Sequence, residues 1–148
     1  QRFRTHIRAA IKTRKPLIIH TRSAAEDTLK IMREENAADI GGVMHCFTET
    51  LDIAEQAMAM NFYISISGIV TFKNAVQIKE VAQKIPLERL LIETDSPYLA
   101  PVPFRGKLNQ PGYVKHVAEE IAKLRGVSVE EIAQQTTKNF NKLFNINK

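Results

Sequence analysis

Lys15-Pro16-Leu17-Ile18-Ile19-His20-Thr21-Arg22 is the stretch that decides the fold class. Before it, Phe3, Ile7 and Ile11 recur every four residues, the spacing of an amphipathic helix. Pro16 ends that helix, because the residue before a proline avoids the helical region. Residues 17–19 are then apolar without alternation, as expected for a parallel strand buried on both faces. The strand stops at His20. Ser23 and Glu26 follow at capping-box spacing and predict a helix to about Glu35.

The same order recurs along the chain. Residues 41–44 predict a second strand, stopping at His45-Cys46-Phe47, and residues 50–60 a helix. Residues 62–67 predict a third strand and residues 74–84 a helix that ends before Pro86. Leu90-Leu91-Ile92 is the fourth strand and runs into Glu93-Thr94-Asp95. A proline-rich loop spans 96–110. Pro111 suits the first turn of the next helix, Val114, Val117, Ile121 and Leu124 form its stripe, and Gly126 is a natural C-cap. Ser128 and Glu131 form a second capping box before a last helix toward Phe144. Strand then helix, four times, means βα units and a parallel α/β sheet.

Composition narrows the classes. Hydrophobic residues are 44% and charged residues 25% of the 148, which excludes a disordered or collagenous chain. No apolar run approaches the ~20 residues of a membrane-spanning helix. The one cysteine, Cys46, excludes an internal disulfide framework and a Cys-only zinc site, so a reducing cytoplasmic setting is expected. No signal peptide is recognisable. The chain opens at Gln1, already in a helical pattern and without Met, which suggests a missing beginning. The net charge of +5 comes from residues 1–15, which hold Arg2, Arg4, Arg8, Lys12, Arg14 and Lys15 and no acidic residue. That segment is either a solvated helix face or a patch that attracts polyanions.

His20, His45 and Asp95 fall at the C-terminal ends of three predicted strands. In parallel α/β folds the βα loops converge on that edge, and active sites are built there. Imidazole and carboxylate are the usual ligands of hydrolytic Zn²⁺, Mn²⁺ and Mg²⁺. Three such residues on one rim point to a metal site that is incomplete in this chain. No GxSxG, GxxxxGK[ST], GxGxxG, HxH or HExxH is present, so serine hydrolases, P-loop NTPases and dinucleotide enzymes lack support.

These segments, with Gly42-Val-Met-His45-Cys-Phe-Thr48, Leu91-Ile-Glu93-Thr-Asp95-Ser-Pro97-Tyr98-Leu-Ala-Pro101, and the loop Pro103-Phe-Arg105-Gly-Lys107 with Asn109-Gln-Pro111, resemble the TatD family of metal-dependent deoxyribonucleases. The likeness is closest to its YcfH-type branch. The resemblance implies a TIM-type (β/α)₈ barrel, of which residues 1–148 would be the C-terminal half, with about four βα units and the N-terminal half absent. It implies a hydrolase that cuts phosphodiester bonds with a metal-activated water and, in the whole enzyme, two divalent ions (Mg, Mn or Zn). His20 and His45 would be ligands of one metal, and Asp95 would sit by the other as the catalytic carboxylate. DNA would be the substrate, and the fragment alone would be inactive.

Other residues carry weaker expectations. Glu93 shares a strand face with Asp95, and would either support a His ligand or Arg22, or form a buried ion pair. Arg22 would grip a substrate phosphate, or pair with Glu93 or Asp95. Arg105 and Lys107, in the rim loop, suit phosphate contacts. Tyr98 reads as a packed loop aromatic rather than a base-stacking ring, and Cys46 as a core residue rather than a ligand. His6 and His116 read as surface residues. Half a barrel would leave two strand edges unpaired and one apolar sheet face bare, so the missing half or a second copy is expected as partner. The alternatives are an amidohydrolase-like esterase or deacylase, and a non-catalytic half-barrel interaction module.

Overall fold

A computed structural model describes residues 1–146. Strands β1 (Leu17–Ile19), β2 (Gly42–Met44), β3 (Phe62–Ile66) and β4 (Leu90–Ile92) form one parallel sheet in the order β1-β2-β3-β4. Leu17 pairs with Gly42, Gly42 with Phe62, and Ile64 with Leu90. Helix α1 (Arg2–Thr13) precedes β1. Helices α2 (Ala25–Glu34), α3 (Leu51–Ala59) and α4 (Val76–Lys84) connect successive strands, and α5 (Val114–Arg125) and α6 (Val129–Leu143) follow β4. Because every strand runs the same way, all four C-terminal ends lie on one rim.

Strand side chains alternate between two faces. Ile19, Met44, Ile64, Ile66 and Leu90 meet Ile7, Leu29, Val81 and Ile121 of the helices in the main core. On the other face, Val43, Tyr63 and Leu91 are buried, with Leu143 of α6 packed on them. That face is therefore not bare, as the sequence led us to expect. Only at β1 does the expectation of two buried faces fail, because Ile18 is 64% exposed. Helix α6 is fixed there by the buried Asn139, whose Nδ2 donates to the carbonyls of Leu87 (2.8 Å) and Leu90 (2.7 Å). Among the described residues both edges stay open: β1 pairs with β2 alone and β4 with β3 alone.

Close backbone approach explains two glycines. A Cβ on Gly42 would lie 2.1 Å from the Leu17 carbonyl oxygen, so the β1–β2 pairing needs glycine there. A Cβ on Gly68 would lie 2.3 Å from the Leu99 oxygen, where the loop after β4 crosses β3's end.

Local signals succeeded and failed for visible reasons. Ser128 accepts the Glu131 N–H at 3.1 Å and caps α6, while Thr50 caps α3. Ser23 does not cap α2. It sits at φ 54, and the helix begins at Ala25 with no side-chain cap. In the basic segment, Arg4 and Arg8 bind Glu35, and Arg4 also binds Glu34. The polyanion patch is thereby reduced, and these bonds hold the Glu35 carboxyl down at about 2. No helix of the described residues is long and apolar enough to cross a membrane.

Candidate metal centre

The rim gathers His20 after β1, His45 after β2, and Glu93 and Asp95 after β4. Two of these strand ends turn through the left-handed backbone region, at Cys46 (φ 46) and Asp95 (φ 57). Such a conformation costs a non-glycine residue ~1–3 kcal/mol and persists where surrounding bonds impose it. Here those bonds are visible. The Cys46 N–H donates to Glu93 Oε2 at 3.1 Å, and the Tyr98 N–H donates to the Asp95 carbonyl at 3.0 Å.

His45, Glu93 and Asp95 converge, with one candidate ligand atom from each lying within 4.8 Å of the others. Glu93 Oε2 accepts from His45 Nδ1 at 2.9 Å. A carboxylate on Nδ1 fixes that nitrogen as the N–H and leaves a lone pair on Nε2. His45 Nε2 lies 3.3 Å from Asp95 Oδ1. Two acceptors at that distance need a proton or a metal ion between them. The same 3.3 Å is about the separation of two donor atoms on one tetrahedral ion with ~2.0–2.1 Å bonds. Glu93 Oε1 lies 2.8 Å from Nδ1 but off the N–H direction, so this buried oxygen has no hydrogen-bond partner. An unpaired buried carboxylate oxygen is costly unless a cation meets it. The residues present therefore fit a divalent cation, by donor chemistry and by this orphaned atom.

The converging set differs from the expected one. It contains Glu93 and leaves out His20, which is exposed; its Nδ1 lies 3.3 Å from the His45 carbonyl oxygen. The two imidazoles stand 5.8 Å apart, centroid to centroid. Of the roles open to Glu93, the one its contacts match is the support of a histidine. Arg22 is exposed and makes no ion pair with Glu93 or Asp95 among the described residues. Arg105 lies over the Phe72 ring at 3.6 Å and reaches the Ala100 carbonyl, while Lys107 stands 5.9 Å from the Phe104 ring.

Cys46 is buried against Ser67, and burial pushes its thiol pKa up. Two expectations are corrected. Tyr98 is exposed, not packed, because the turn that carries it projects the ring into solvent. His116 is half-buried rather than on the surface. Its ring contacts Phe104 and Tyr113, and its Nδ1 meets Glu119 at 2.8 Å.

One residue was missed as a determinant. Asn109 is buried, and its Nδ2 donates to the carbonyls of Thr94 (2.8 Å) and Tyr98 (2.6 Å), on either side of Asp95. The available signal was the long loop itself, which needs a polar anchor for backbone groups it does not pair internally.

The chain is similar to known proteins in sequence and in fold. The sequence matches the profile described as TatD related DNase over residues 1–145. It is 58% identical over 144 residues to a protein named as an uncharacterized metal-dependent hydrolase, YcfH, of Escherichia coli (strain K12), covering 97% of this chain and 54% of that one. It is 54% identical over 145 residues to another so named, YabD of Bacillus subtilis (strain 168), covering 98% and 57%. Among solved structures, YjjV, a TatD homolog from Escherichia coli, superposes with a TM-score of 0.88 at 29% identity, over 95% of this chain and 54% of that one. The chain thus spans about half the length of the curated relatives it matches.

Proposed function

This chain belongs to the TatD-related DNase family, and on that premise we propose that it forms part of a metal-dependent hydrolase that cuts phosphodiester bonds in DNA. The observation that carries the proposal is the convergence of His45, Glu93 and Asp95 on the strand-end rim, with Glu93 Oε1 unpartnered. The four βα units would be half of a (β/α)₈ barrel. The open edges of β1 and β4 and the exposed Ile18 are where its other half would join.

Bound divalent ions, two in the whole protein and of the Mg, Mn or Zn type, would supply charge against the phosphoryl oxygens and a nucleophile from water at neutral pH. His45, presenting Nε2 because Glu93 holds Nδ1, and Asp95 would be ligands. His20 would join them by turning its ring, being exposed and only lightly held. Asp95 would also orient the attacking water and accept its proton at a carboxylate oxygen. Arg22, Arg105 and Lys107 would meet the strand's phosphates. A reducing cytoplasm suits the single buried thiol of Cys46.

The test is cleavage of single- and double-stranded DNA by the full-length protein with Mg²⁺, Mn²⁺ or Zn²⁺, against EDTA and against Asp95→Asn. Metal-dependent cleavage lost in the variant is expected. Turnover of carboxylic ester or amide substrates without DNA cleavage would move the assignment to an esterase or deacylase. Metal binding without any turnover would leave only a binding module.

A further inference from the structure

We infer that Asn109 is a positioning residue for Asp95: it clamps the chain on both sides of that residue and so sets where the carboxylate would meet a divalent ion. The inference rests on the metal reading of the strand-end centre and not on the substrate. Among the described residues the β4 ladder ends before Asp95, its last bond running from the Glu93 N–H to the Ile66 carbonyl at 3.0 Å. Two residues further on, Asp95 stands at φ 57, a conformation that persists where its surroundings impose it. Its carboxylate has one hydrogen-bonding or ionic contact among the described residues, His45 Nε2 at 3.3 Å. The backbone must therefore aim it.

Asn109 supplies that aim. It is 4% exposed, and its Nδ2 donates to the Thr94 carbonyl at 2.8 Å and the Tyr98 carbonyl at 2.6 Å, one on each side of Asp95. Its Oδ1 accepts the Gln110 N–H at 2.9 Å, and its own N–H donates to the Pro97 carbonyl at 3.0 Å. The Tyr98 N–H closes the turn on the Asp95 carbonyl at 3.0 Å. One amide thus ties both ends of the 94–98 reversal, and a ligand held this way stays in place only while its support does. A second asparagine has the same build elsewhere. Asn139 is 3% exposed, donates from Nδ2 to the Leu87 and Leu90 carbonyls, and accepts from Gln135 Nε2 at 2.8 Å, but it grips the start of β4, away from the rim. Matched in burial and in side-chain bonds, Asn139 separates a loss of stability from a loss of aim.

The test is calorimetric titration of Mn²⁺ into the metal-stripped full-length protein, beside thermal unfolding in EDTA. Asn109→Ala and Asn139→Ala should lower Tm by similar amounts, about 4–12 °C. Asn109→Ala should weaken Mn²⁺ binding by about 10- to 100-fold, while Asn139→Ala stays within about twofold of wild type. In an Asp95→Asn background, Asn109→Ala should add less than about twofold, because the carboxylate it aims is gone. Should Asn109→Ala not fold, Asn109→Ser, which keeps one hydroxyl donor, carries the same expectations. Wild-type affinity in the Asn109 variant, an equal loss in Asn139→Ala, or an undiminished loss in the Asp95→Asn background overturns the inference. If wild type binds no Mn²⁺, the metal reading and the inference fail together; if wild type binds it and the Asn109 variant binds it equally, the positioning role alone fails.

Discussion

Replacing Asn109 should separate its hydrogen-bonding role from its shape. The side chain makes three bonds in a buried place: Nδ2 to the Thr94 and Tyr98 carbonyls at 2.8 and 2.6 Å, and Oδ1 from the Gln110 N–H at 2.9 Å. At about 1 kcal/mol net for each bond, Asn109→Ala should cost about 2–3 kcal/mol. Asn109→Asp keeps the shape and the Gln110 bond. It puts an oxygen where Nδ2 was, facing two carbonyl oxygens, so at neutral pH it should cost more than alanine. Burial against those acceptors raises the new carboxyl's folded pKa above its unfolded value. The added penalty is therefore present at high pH and shrinks as pH falls through the folded pKa, where a protonated carboxyl donates one bond. The assay is thermal unfolding of the full-length protein in EDTA between about pH 4 and 8. At roughly 2–4 °C per kcal/mol for a chain of this order of size, alanine should lower Tm by about 4–12 °C, and aspartate by more at pH 7 than at pH 4. A Tm for Asn109→Asp equal to wild type at pH 7 would refute the clamp.

Three further outcomes follow from single contacts. Glu93→Gln should weaken metal affinity by about 10- to 100-fold with the fold intact, because it removes the charge that holds His45 Nδ1; calorimetric titration checks this, and equal affinity would count against the pairing. Gly42→Ala should give little folded protein by circular dichroism, since its Cβ would fall 2.1 Å from the Leu17 oxygen of the neighbouring strand. Glu35, held at about 2 by Arg8 and Arg4, contributes stability present above about pH 4.5 and lost as pH falls toward 2. Glu35→Gln should therefore flatten that part of an acid-unfolding curve, and an unchanged curve would mean the ion pairs are idle.

The parallel α/β order was legible because short unalternating runs such as Leu90-Leu91-Ile92, punctuated by helical stripes, admit few other folds. Ile18 misled because a strand's inner face is covered only where another element reaches, and α6 reaches Val43, Tyr63 and Leu91. Ser23 misled because a capping box needs an extended cap residue, and Ser23 turns left-handed after β1. Of the candidate centre, His45 and Asp95 were legible from strand-end position. The contact of Glu93 with His45 was only one of several options, because sequence spacing gives the face of a strand and not the residue opposite it. Asn109 was legible only as one polar residue of a long loop, because its two carbonyl acceptors come from a chain reversal that no local pattern encodes.

The most direct test of the account is calorimetric titration of Mn²⁺ or Zn²⁺ into the metal-stripped full-length protein, for wild type, His45→Ala and Asp95→Asn. Ligation by His45 Nε2 and Asp95 predicts that each variant binds at least about tenfold more weakly while its unfolding without metal stays close to wild type. Wild-type affinity in both variants would contradict it and leave the 3.3 Å contact between these residues as a protonated ion pair.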